Sequence, residues 1–320
     1  MSGRDLAVRA ARGAHRAGAW IFDRSGILAP ALARLGAPLH RWLFPGSLLA
    51  DPGVPIDLGD GFRLYHEGRP SYHLQMLAMG MHDRDVERIL RHLARPGMTI
   101  VDVGAHLGYF SIMSARLCGD TGTVWAFEPS RTLLPILYRN AATNGVADLV
   151  HVVPSAVGDA VREVTLFTGD TDSMLSSLHP AAAAAAGAAG AGAGECVPCT
   201  TLDAWAEHHG WPRVDLVKID VEGHEVAAAV GMRRLCHRNP ALVLIIELNE
   251  RTLAAAGESV ESFWAALTAC GLDDVALAGA PPRPVRYPAD WGVIRTEIRR
   301  QGNGRVNLVC ARAALSIRYT

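Results

Sequence analysis

The chain has 320 residues, of which 49% are hydrophobic and 20% charged, enough for a large core in one or two domains. A net charge of −1 and a pI near 6.9 give no sign of a basic surface for nucleic acid. No apolar run approaches the roughly 18 residues that span a bilayer, and the scattered cysteines suit a reducing, cytoplasmic setting.

Residues 1–55 differ in character from the rest of the chain. Arginine recurs through them, against only Asp5 and Asp23 before residue 50, and the apolar stretches are too short for a secretory signal. We expect a helical extension packed on the main domain; an amphipathic helix on a membrane surface or a partner is the alternative. Prolines and glycines then mark a break before the main domain, 56–320, where a helix is predicted over Tyr72–Leu93.

A strand–turn–helix motif carries the strongest functional signal. Thr99–Val103 has the β-branched composition of a buried strand, and Gly104 and Gly108 bracket a tight turn into a helix over Tyr109–Leu117. Glycines let the backbone approach a ligand closely, and a helix that begins there points free N–H groups at it. The motif therefore predicts a ligand at the carboxyl end of this strand.

The second strand supplies an acid for that ligand. Thr123–Phe127 is followed by Glu128 and Pro129, and Glu128 stands about 20 residues after Gly108. An acid at the end of this strand accepts hydrogen bonds from both hydroxyls of a ribose. The predicted ligand is therefore an adenosine compound.

Two details distinguish among adenosine ligands. A dinucleotide site usually reads Gly-x-Gly-x-x-Gly, and His106 stands where its middle glycine would make room for a pyrophosphate. Asp102, just upstream, would repel a diphosphate but suits an ammonium group. S-adenosylmethionine has a ribose, an amino acid head and no phosphate, so its site is favoured. An NAD(P)-dependent oxidoreductase and a non-catalytic adenosine-binding protein are the alternatives.

The middle of the chain continues the alternation of strands and helices. A helix is predicted near Arg131–Asn144, a strand at Val150–Val153, and a hairpin between Glu163–Phe167 and Glu195–Thr200. Between the hairpin strands, Ala181–Gly194 contains only alanine and glycine and is predicted to be a flexible surface insert.

Cys196 and Cys199 form a CxxC motif with no second pair of cysteines or histidines beside it. Because the motif begins a predicted strand rather than a helix, we interpret both residues as half-buried strand positions. Redox or zinc chemistry is the less favoured alternative.

A second chemical cluster ends the strand predicted at Val214–Ile219. It contains Lys218, the only lysine in the chain, which indicates a need for a compact ammonium group rather than a guanidinium. Asp220 would emerge at the carboxyl end of this strand and Glu247 at the end of the next, Leu242–Glu247. Adjacent strands lie about 4.8 Å apart, so the two carboxylates could flank a substrate hydroxyl or share a metal ion.

Other charged residues of this cluster have a simpler interpretation. Glu222 and Glu225 are expected to stabilise the N-terminus of the following helix. His224 is expected in an exposed loop or helix start, where a solvated and a catalytic role are equally open. No Asp/Asn-Pro-Pro-aromatic motif follows the strand, which argues against a nucleobase substrate.

The final strands complete the predicted fold. Asp274–Leu277 and Arg305–Cys310 are expected to form an antiparallel closing pair. Strands that alternate with helices predict an α/β fold, with a doubly wound, Rossmann-like parallel sheet and helices on both faces.

The chain resembles the FkbM family of S-adenosylmethionine-dependent methyltransferases from about Gly80 to Glu247. The resemblance lies in seven segments: Asp102-Val-Gly-Ala-His-Leu-Gly108, Phe127-Glu-Pro129, Asn144-Gly145, Ala156-Val-Gly-Asp159, Thr201-Leu-Asp203, Lys218-Ile-Asp-Val-Glu-Gly-His-Glu225 and the Glu247 strand end. It implies a class I methyltransferase fold and O-methylation of sugar or polyketide hydroxyls. It also places Asp159 among the donor-binding residues. Two departures are His106, where the family commonly has Asn, and Met81-His-Asp83, where an acid beside an aromatic is usual.

An alcohol is a poor nucleophile, so a base or a metal must help to remove its proton. Asp220 is the first candidate for the base, and Glu247 either supports it or shares a divalent metal with it. His224 is the second candidate, and Lys218 completes the predicted catalytic set. The expected partner is a small-molecule or glycan acceptor. The sequence leaves the choice between base and metal open.

Overall fold

A computed structural model describes residues 52–68, 77, 82–168, 176–186, 194–279, 282–301 and 304–312. The predicted N-terminal extension lies outside these residues, apart from its last four. The helix predicted over Tyr72–Leu93 is described only at residue 77 and over its last part. Within the described ranges, no helix is long and apolar enough to cross a membrane.

The described elements follow the predicted alternation. The strands are β1 (Ile56–Gly59), β2 (Phe62–Leu64), β3 (Thr99–Val103), β4 (Thr123–Phe127), β5 (Val150–Val153), β6 (Ala156–Val157), β7 (Arg162–Leu166), β8 (Glu195–Thr200), β9 (Leu216–Ile219), β10 (Val243–Asn249), β11 (Asp274–Leu277), β12 (Arg283–Val285) and β13 (Arg305–Ala311). The helices are α1 (Arg84–Leu93), α2 (Tyr109–Cys118), α3 (Leu134–Thr143), α4 (Pro180–Ala186), α5 (Leu202–His208), α6 (Glu225–Val230), α7 (Arg233–Arg238), α8 (Glu250–Ala255), α9 (Val260–Ala269) and α10 (Trp291–Gln301).

Eight strands form the central sheet in the order β12-β11-β13-β10-β9-β3-β4-β5. The strands β5, β4, β3, β9 and β10 are parallel, and β13 runs antiparallel between β10 and β11. The predicted closing pair is therefore confirmed, as is the α/β fold with helices around a mostly parallel sheet.

The strands are apolar on both faces because the sheet is covered on both sides. On β3, Val101 and Val103 belong to one hydrophobic cluster and Ile100 to the other. On β10, Leu244 and Ile246 alternate with Ile245 in the same way. Two cores therefore sandwich the sheet, and polar groups of the central strands gather at their carboxyl ends.

The strand order reverses beside β3, because the chain proceeds to β4 and β5 on one side and to β9 and β10 on the other. Open α/β sheets bind ligands at such a reversal, in the crevice outside the carboxyl ends of the strands. The fold thus brings the turn after β3, the acid after β4 and the acidic segment after β9 to one edge.

A smaller sheet, ordered β6-β8-β7, lies beside the first. Its β7 and β8 pair antiparallel, which confirms the predicted hairpin. Both CxxC residues lie on β8, where Cys196 is exposed and Cys199 is buried, and both carry free thiols. Side chains three positions apart on a strand point to opposite faces, so the two cysteines do not form a redox pair.

The interpretation of the alanine- and glycine-rich insert as a flexible surface loop is wrong for its first part. Pro180–Ala186 forms α4, and Ala182 and Ala183 are completely buried against α8. The Arg251 guanidinium donates a hydrogen bond to the Ala185 carbonyl oxygen. Alanine has the highest helix propensity and a small side chain, so the run forms a helix that packs closely. Residues 187–193 lie outside the described residues.

The packing of α4 predicts a stability difference between neighbouring alanines. Ala182→Leu should lower the free energy of unfolding by about 1–3 kcal/mol, because its side chain faces Gly223 and has no room for added methylenes. Ala181→Leu, at an exposed position of the same helix, should change it by less than about 0.5 kcal/mol. Urea denaturation of the two variants measures this, and equal stabilities would contradict the packing of α4.

Candidate active site

An open cavity of about 720 Å³, its solvent-filled mouth included, lies at the predicted edge. Six predicted site residues line it: Gly104, His106, Glu128, Pro129, Asp220 and His224. The other five lie outside its lining: Asp102, Gly108, Asp159, Lys218 and Glu247.

The turn after β3 depends on residues with positive φ. Gly104 has φ +82°, and a Cβ at this position would collide with the backbone carbonyl oxygen of Asp220. Gly108 has φ +87° and begins α2, where a Cβ would collide with Leu137. His106, between them, also has positive φ, at 53°. Gly104 therefore lets the turn lie directly against the end of β9, and Gly108 lets it lie against α3, as a close-approach loop requires.

Glu128 is held at the end of β4 by two backbone amides. Its Oε2 accepts a hydrogen bond from the His106 N–H at 2.7 Å, and its Oε1 accepts one from the Ser130 N–H at 2.9 Å. Burial raises the pKa of Glu128 to about 7, although these two amides oppose the change. Each carboxylate oxygen retains a lone pair for a further donor, such as a ribose hydroxyl.

Asp102 does not reach the cavity, contrary to its predicted role beside an ammonium group of the ligand. Its Oδ2 accepts a hydrogen bond from the Ser111 hydroxyl at 2.6 Å, and its Oδ1 lies 3.4 Å from Lys218 Nζ. The side chain is completely buried beneath the loop. Asp102 therefore acts as an internal partner of Lys218 and α2.

Lys218 is buried beside the cavity and does not line it. Its ammonium group is 3.4 Å from Asp102, 3.5 Å from Asp220 Oδ2 and 5.0 Å from the centre of the Phe110 ring. Burial alone would lower the pKa of Lys218, but the two carboxylates outweigh it and raise the pKa. A compact, permanently charged ammonium group fits this enclosed position, and it holds the Asp220 carboxylate in place.

Three carboxylates from β10 and the β9–α6 loop gather beside the cavity. One oxygen each from Asp220, Glu222 and Glu247 lies within 4.8 Å of the others. Arg305, on the antiparallel strand β13, lies 2.6 Å from Glu247 Oε2 and 3.8 Å from Glu222 Oε1. Glu247 is two residues inside β10 rather than at its end, and it is completely buried.

Glu222 and Glu225 have different roles, although the sequence predicts the same role for both. Glu225 is buried at the start of α6 and accepts hydrogen bonds from the Gly223 and Val221 amides, as a helix-stabilising acid does. Glu222 has positive φ, at 46°, and lines the cavity. Burial and the neighbouring Asp220 raise the pKa of Glu222 to about 8.

The expectation that His224 is exposed is wrong, because the side chain is buried in the cavity wall. Its Nδ1 lies 3.1 Å from Nε2 of His179, from the segment just before α4. Burial and then His179 lower the pKa of His224 to about 4, so the imidazole is neutral at ordinary pH. Its Nε2 is buried with no hydrogen-bond partner among the described residues.

Asp159 is displaced from the predicted donor site. Its carboxylate is partly exposed and lies 2.9 Å from the Arg162 guanidinium at the start of β7. The neighbouring residues Ser155, Ala156 and Val157 line the cavity instead.

Several cavity residues are not among the sequence-based candidates. Among them are Ser176, Ser177 and Leu178, from the segment before α4, and Glu222. The Ser177 hydroxyl donates a hydrogen bond to the Glu222 backbone oxygen at 2.7 Å, which joins the segment to the site. Of these residues, only Glu222 could be suspected from the sequence, because its side chain is acidic.

Comparisons with known proteins agree with this arrangement. The family described as "Methyltransferase FkbM domain" matches residues 102–272, more than half of the chain. A hexuronic acid methyltransferase, AglP, from Haloferax volcanii is 28% identical over 152 residues, 47% of this chain and 56% of AglP. A 31-O-demethyl-FK506 methyltransferase, FkbM, from Streptomyces tacrolimicus is 37% identical over 89 residues, 28% of this chain and 33% of that protein.

The matched segments therefore span about half and one third of these two curated relatives. Solved structures with a similar fold include an S-adenosylmethionine-dependent O-methyltransferase from Thermotoga maritima, 13% identical, with a TM-score of 0.41 over 76% of this chain and 72% of that chain. That likeness is too distant to support a functional argument. The match to the family over residues 102–272 is sufficient: the chain belongs to the FkbM methyltransferase family.

Proposed function

We propose that this protein transfers a methyl group from S-adenosylmethionine to a hydroxyl oxygen of a sugar, glycan or polyketide-type natural product. The observation that carries the proposal is the position of Glu128. Its carboxylate is fixed by two backbone amides and lines the same cavity as Asp220. A ribose-binding acid and an acidic group for the acceptor thus line a single cavity.

The geometry favours a methyl donor over the alternatives. His106 occupies the turn with positive φ where a dinucleotide loop would place a glycine against a pyrophosphate. Glu128, Asp220 and Glu222 all line the cavity and would repel a diphosphate, whereas a sulfonium and an ammonium group suit them. A protein that only binds adenosine would need Glu128 for the ribose but would not need Asp220 and Glu222.

The acceptor is proposed from the cavity and from the two relatives. Asp220, Glu222 and His224 line the cavity and offer hydrogen-bonding groups suited to a polyhydroxylated molecule. The relatives are named for methylation of a hexuronic acid and of a demethylated FK506 oxygen. All six cysteines carry free thiols, which suits the proposed cytoplasmic setting.

S-adenosylmethionine, when bound, supplies an electrophilic methyl group. The loop from Gly104 to His106 and the Glu128 carboxylate would hold its adenosine, and much of the rate would come from holding acceptor and donor in line. Asp220 would accept the proton of the attacking hydroxyl, while Lys218 fixes its carboxylate. His224, neutral and buried, is the second candidate for this base.

Calorimetry and a transfer assay test the proposal. S-adenosylhomocysteine should bind and raise the melting temperature, whereas NAD should do neither. Labelled S-adenosylmethionine with a panel of glycans and natural-product alcohols should yield a product that carries the label on oxygen. Binding of NAD without binding of S-adenosylhomocysteine would overturn the proposal in favour of an oxidoreductase.

The raised pKa of Glu128 predicts that donor affinity depends on pH. The ionised carboxylate accepts hydrogen bonds from the ribose, so affinity for S-adenosylhomocysteine should be full above about pH 7. It should fall, by at most about tenfold per unit, as the pH drops below that value. Calorimetric titrations between pH 5.5 and 8 measure the slope.

Glu128→Gln is the control for this prediction. It should weaken binding at pH 8 by about 1–3 kcal/mol, because the amide cannot replace the charged acceptor. It should also remove the part of the pH dependence that is due to Glu128 and leave any part that is due to Glu222, which lines the same cavity. A slope that is unchanged in Glu128→Gln would contradict the ribose assignment.

A further inference from the structure

The three carboxylates of Asp220, Glu222 and Glu247 have the arrangement of a cation site. Their nearest oxygens lie within 4.8 Å of one another, close enough for one ion to touch all three. Glu247 lies on β10, and Asp220 and Glu222 lie in the loop that follows the adjacent parallel strand β9, so the pairing of the two strands brings the loop beside Glu247. Asp220 and Glu222 also line the cavity, so an ion there would be accessible to a ligand in it.

A second observation, separate from the spacing of the three carboxylates, concerns the Glu247 side chain. It is 1% exposed, and its Oε2 is held by Arg305 at 2.6 Å. Its Oε1 is buried and has no hydrogen-bond partner among the described residues. A buried carboxylate oxygen left without a donor or cation carries a large desolvation cost. The oxygen therefore lacks the partner that a bound cation would provide.

The charge balance of the region points the same way. Within the part of the chain that the structure describes, the network joined by Lys218 and Arg305 contains five carboxylates, those of Asp83, Asp102, Asp220, Glu222 and Glu247. Lys218 and Arg305 can neutralise at most two of these acids, with His82 beside Asp83. The remaining carboxyl groups are neutral only if they hold protons or bind a further cation.

We propose that Asp220, Glu222 and Glu247 bind a hard divalent cation of the Mg²⁺ or Mn²⁺ class. The donor atoms are all carboxylate oxygens, and such ions prefer oxygen ligands to softer nitrogen or sulfur ligands. Lys218 and Arg305 hold Asp220 and Glu247 in place, as supporting residues of metal sites do. The inference depends on the proposed function only for the role of the ion: an ion here would bind the acceptor hydroxyl and make it easier to deprotonate.

Protons are the competing means of neutralising the cluster. Burial raises the pKa of Glu222 to about 8 and that of Glu247 well above its usual value. If the cluster binds a cation, the ion must displace these protons, so its affinity should rise with pH through this range. If the cluster is neutralised by protons alone, no divalent ion should bind at any pH at which the protein is folded.

Titration of the full chain with Mn²⁺, followed by electron paramagnetic resonance and calorimetry, tests the proposal without an activity assay. The wild type should bind one Mn²⁺, with an affinity that increases from pH 6 to pH 8 and with release of protons. Glu222→Gln and Glu247→Gln should each weaken binding by at least about tenfold, since even outer residues of metal sites contribute that much. Glu207→Gln, an exposed acid paired with Arg234, is the matched control and should bind as the wild type does.

Two outcomes would overturn the proposal: no saturable Mn²⁺ binding up to millimolar concentrations, or binding that is equal in the wild type and in both variants. If Glu247→Gln fails to fold, Glu222→Gln and Asp220→Asn decide alone, with melting curves to confirm folding. S-adenosylhomocysteine binding is measured on the same samples. If it binds and Mn²⁺ does not, only the metal site fails; if it does not bind, the proposed function fails.

Discussion

Asp220→Asn should lower turnover by about 10²- to 10⁴-fold with an authentic acceptor, the usual contribution of a positioned general base. Asp220 lines the cavity with its side chain 22% exposed, and one of its oxygens is 3.5 Å from the buried Lys218 ammonium. The amide keeps the shape but loses the charge and the basicity. Binding of S-adenosylhomocysteine should therefore persist, because Glu128 and the glycine turn are unchanged.

The rate is measured with labelled donor under single-turnover conditions, alongside the affinity for S-adenosylhomocysteine. Glu207→Gln, on the exposed surface of α5, is the control and should turn over normally. A normal rate for Asp220→Asn would contradict its role both as base and as metal ligand. His224, whose buried imidazole lies in the same cavity wall, would then be the next residue to test.

Much of the fold could be predicted because its signals are local. The β-branched runs at β3, β4 and β5 match the structure residue for residue, and α2 differs from its prediction by one residue at its end. The hairpin and the closing pair are also predicted correctly from the sequence. At β10 the apolar run continues beyond Glu247 through Leu248, so the strand end was placed two residues too early.

The partners of the acids could not be predicted, because they depend on contacts far apart in sequence. Arg305 reaches Glu247 only because β13 inserts beside β10, and one arginine among many carries no signal of this. The sequence predicts Asp102 beside the ligand because an acid just upstream of the glycine turn suits an ammonium group. Asp102 instead pairs with Lys218, which lies next to it in the parallel register of β3 and β9. The burial of His224 similarly depends on the segment before α4, which the sequence presents as a loop.

Gly104→Ala should be among the most damaging single changes in the turn. Gly104 has φ +82°, and a Cβ there would collide with the Asp220 backbone oxygen at the end of β9. Backbone on both sides of this contact is fixed: the Gly104 and Ala105 amides donate to the Phe127 carbonyl oxygen, and the Asp220 amide donates to that of Val103. The collision can be relieved only by moving the loop away from β9, which also shifts the His106 amide from Glu128.

Gly145→Ala separates the steric collision from the cost of positive φ. Gly145 has φ +70° with nothing within 4 Å of an added Cβ, so this variant should lose only the roughly 1–2 kcal/mol of a left-handed alanine. Gly104→Ala should lose about 1–3 kcal/mol more in urea denaturation, the range for inserting a group where there is no space. It should also bind S-adenosylhomocysteine more weakly, whereas Gly145→Ala should bind it normally. Equal stability and equal affinity in the two variants would show that the turn does not lie against β9, and the donor site proposed at this edge would lose its main structural support.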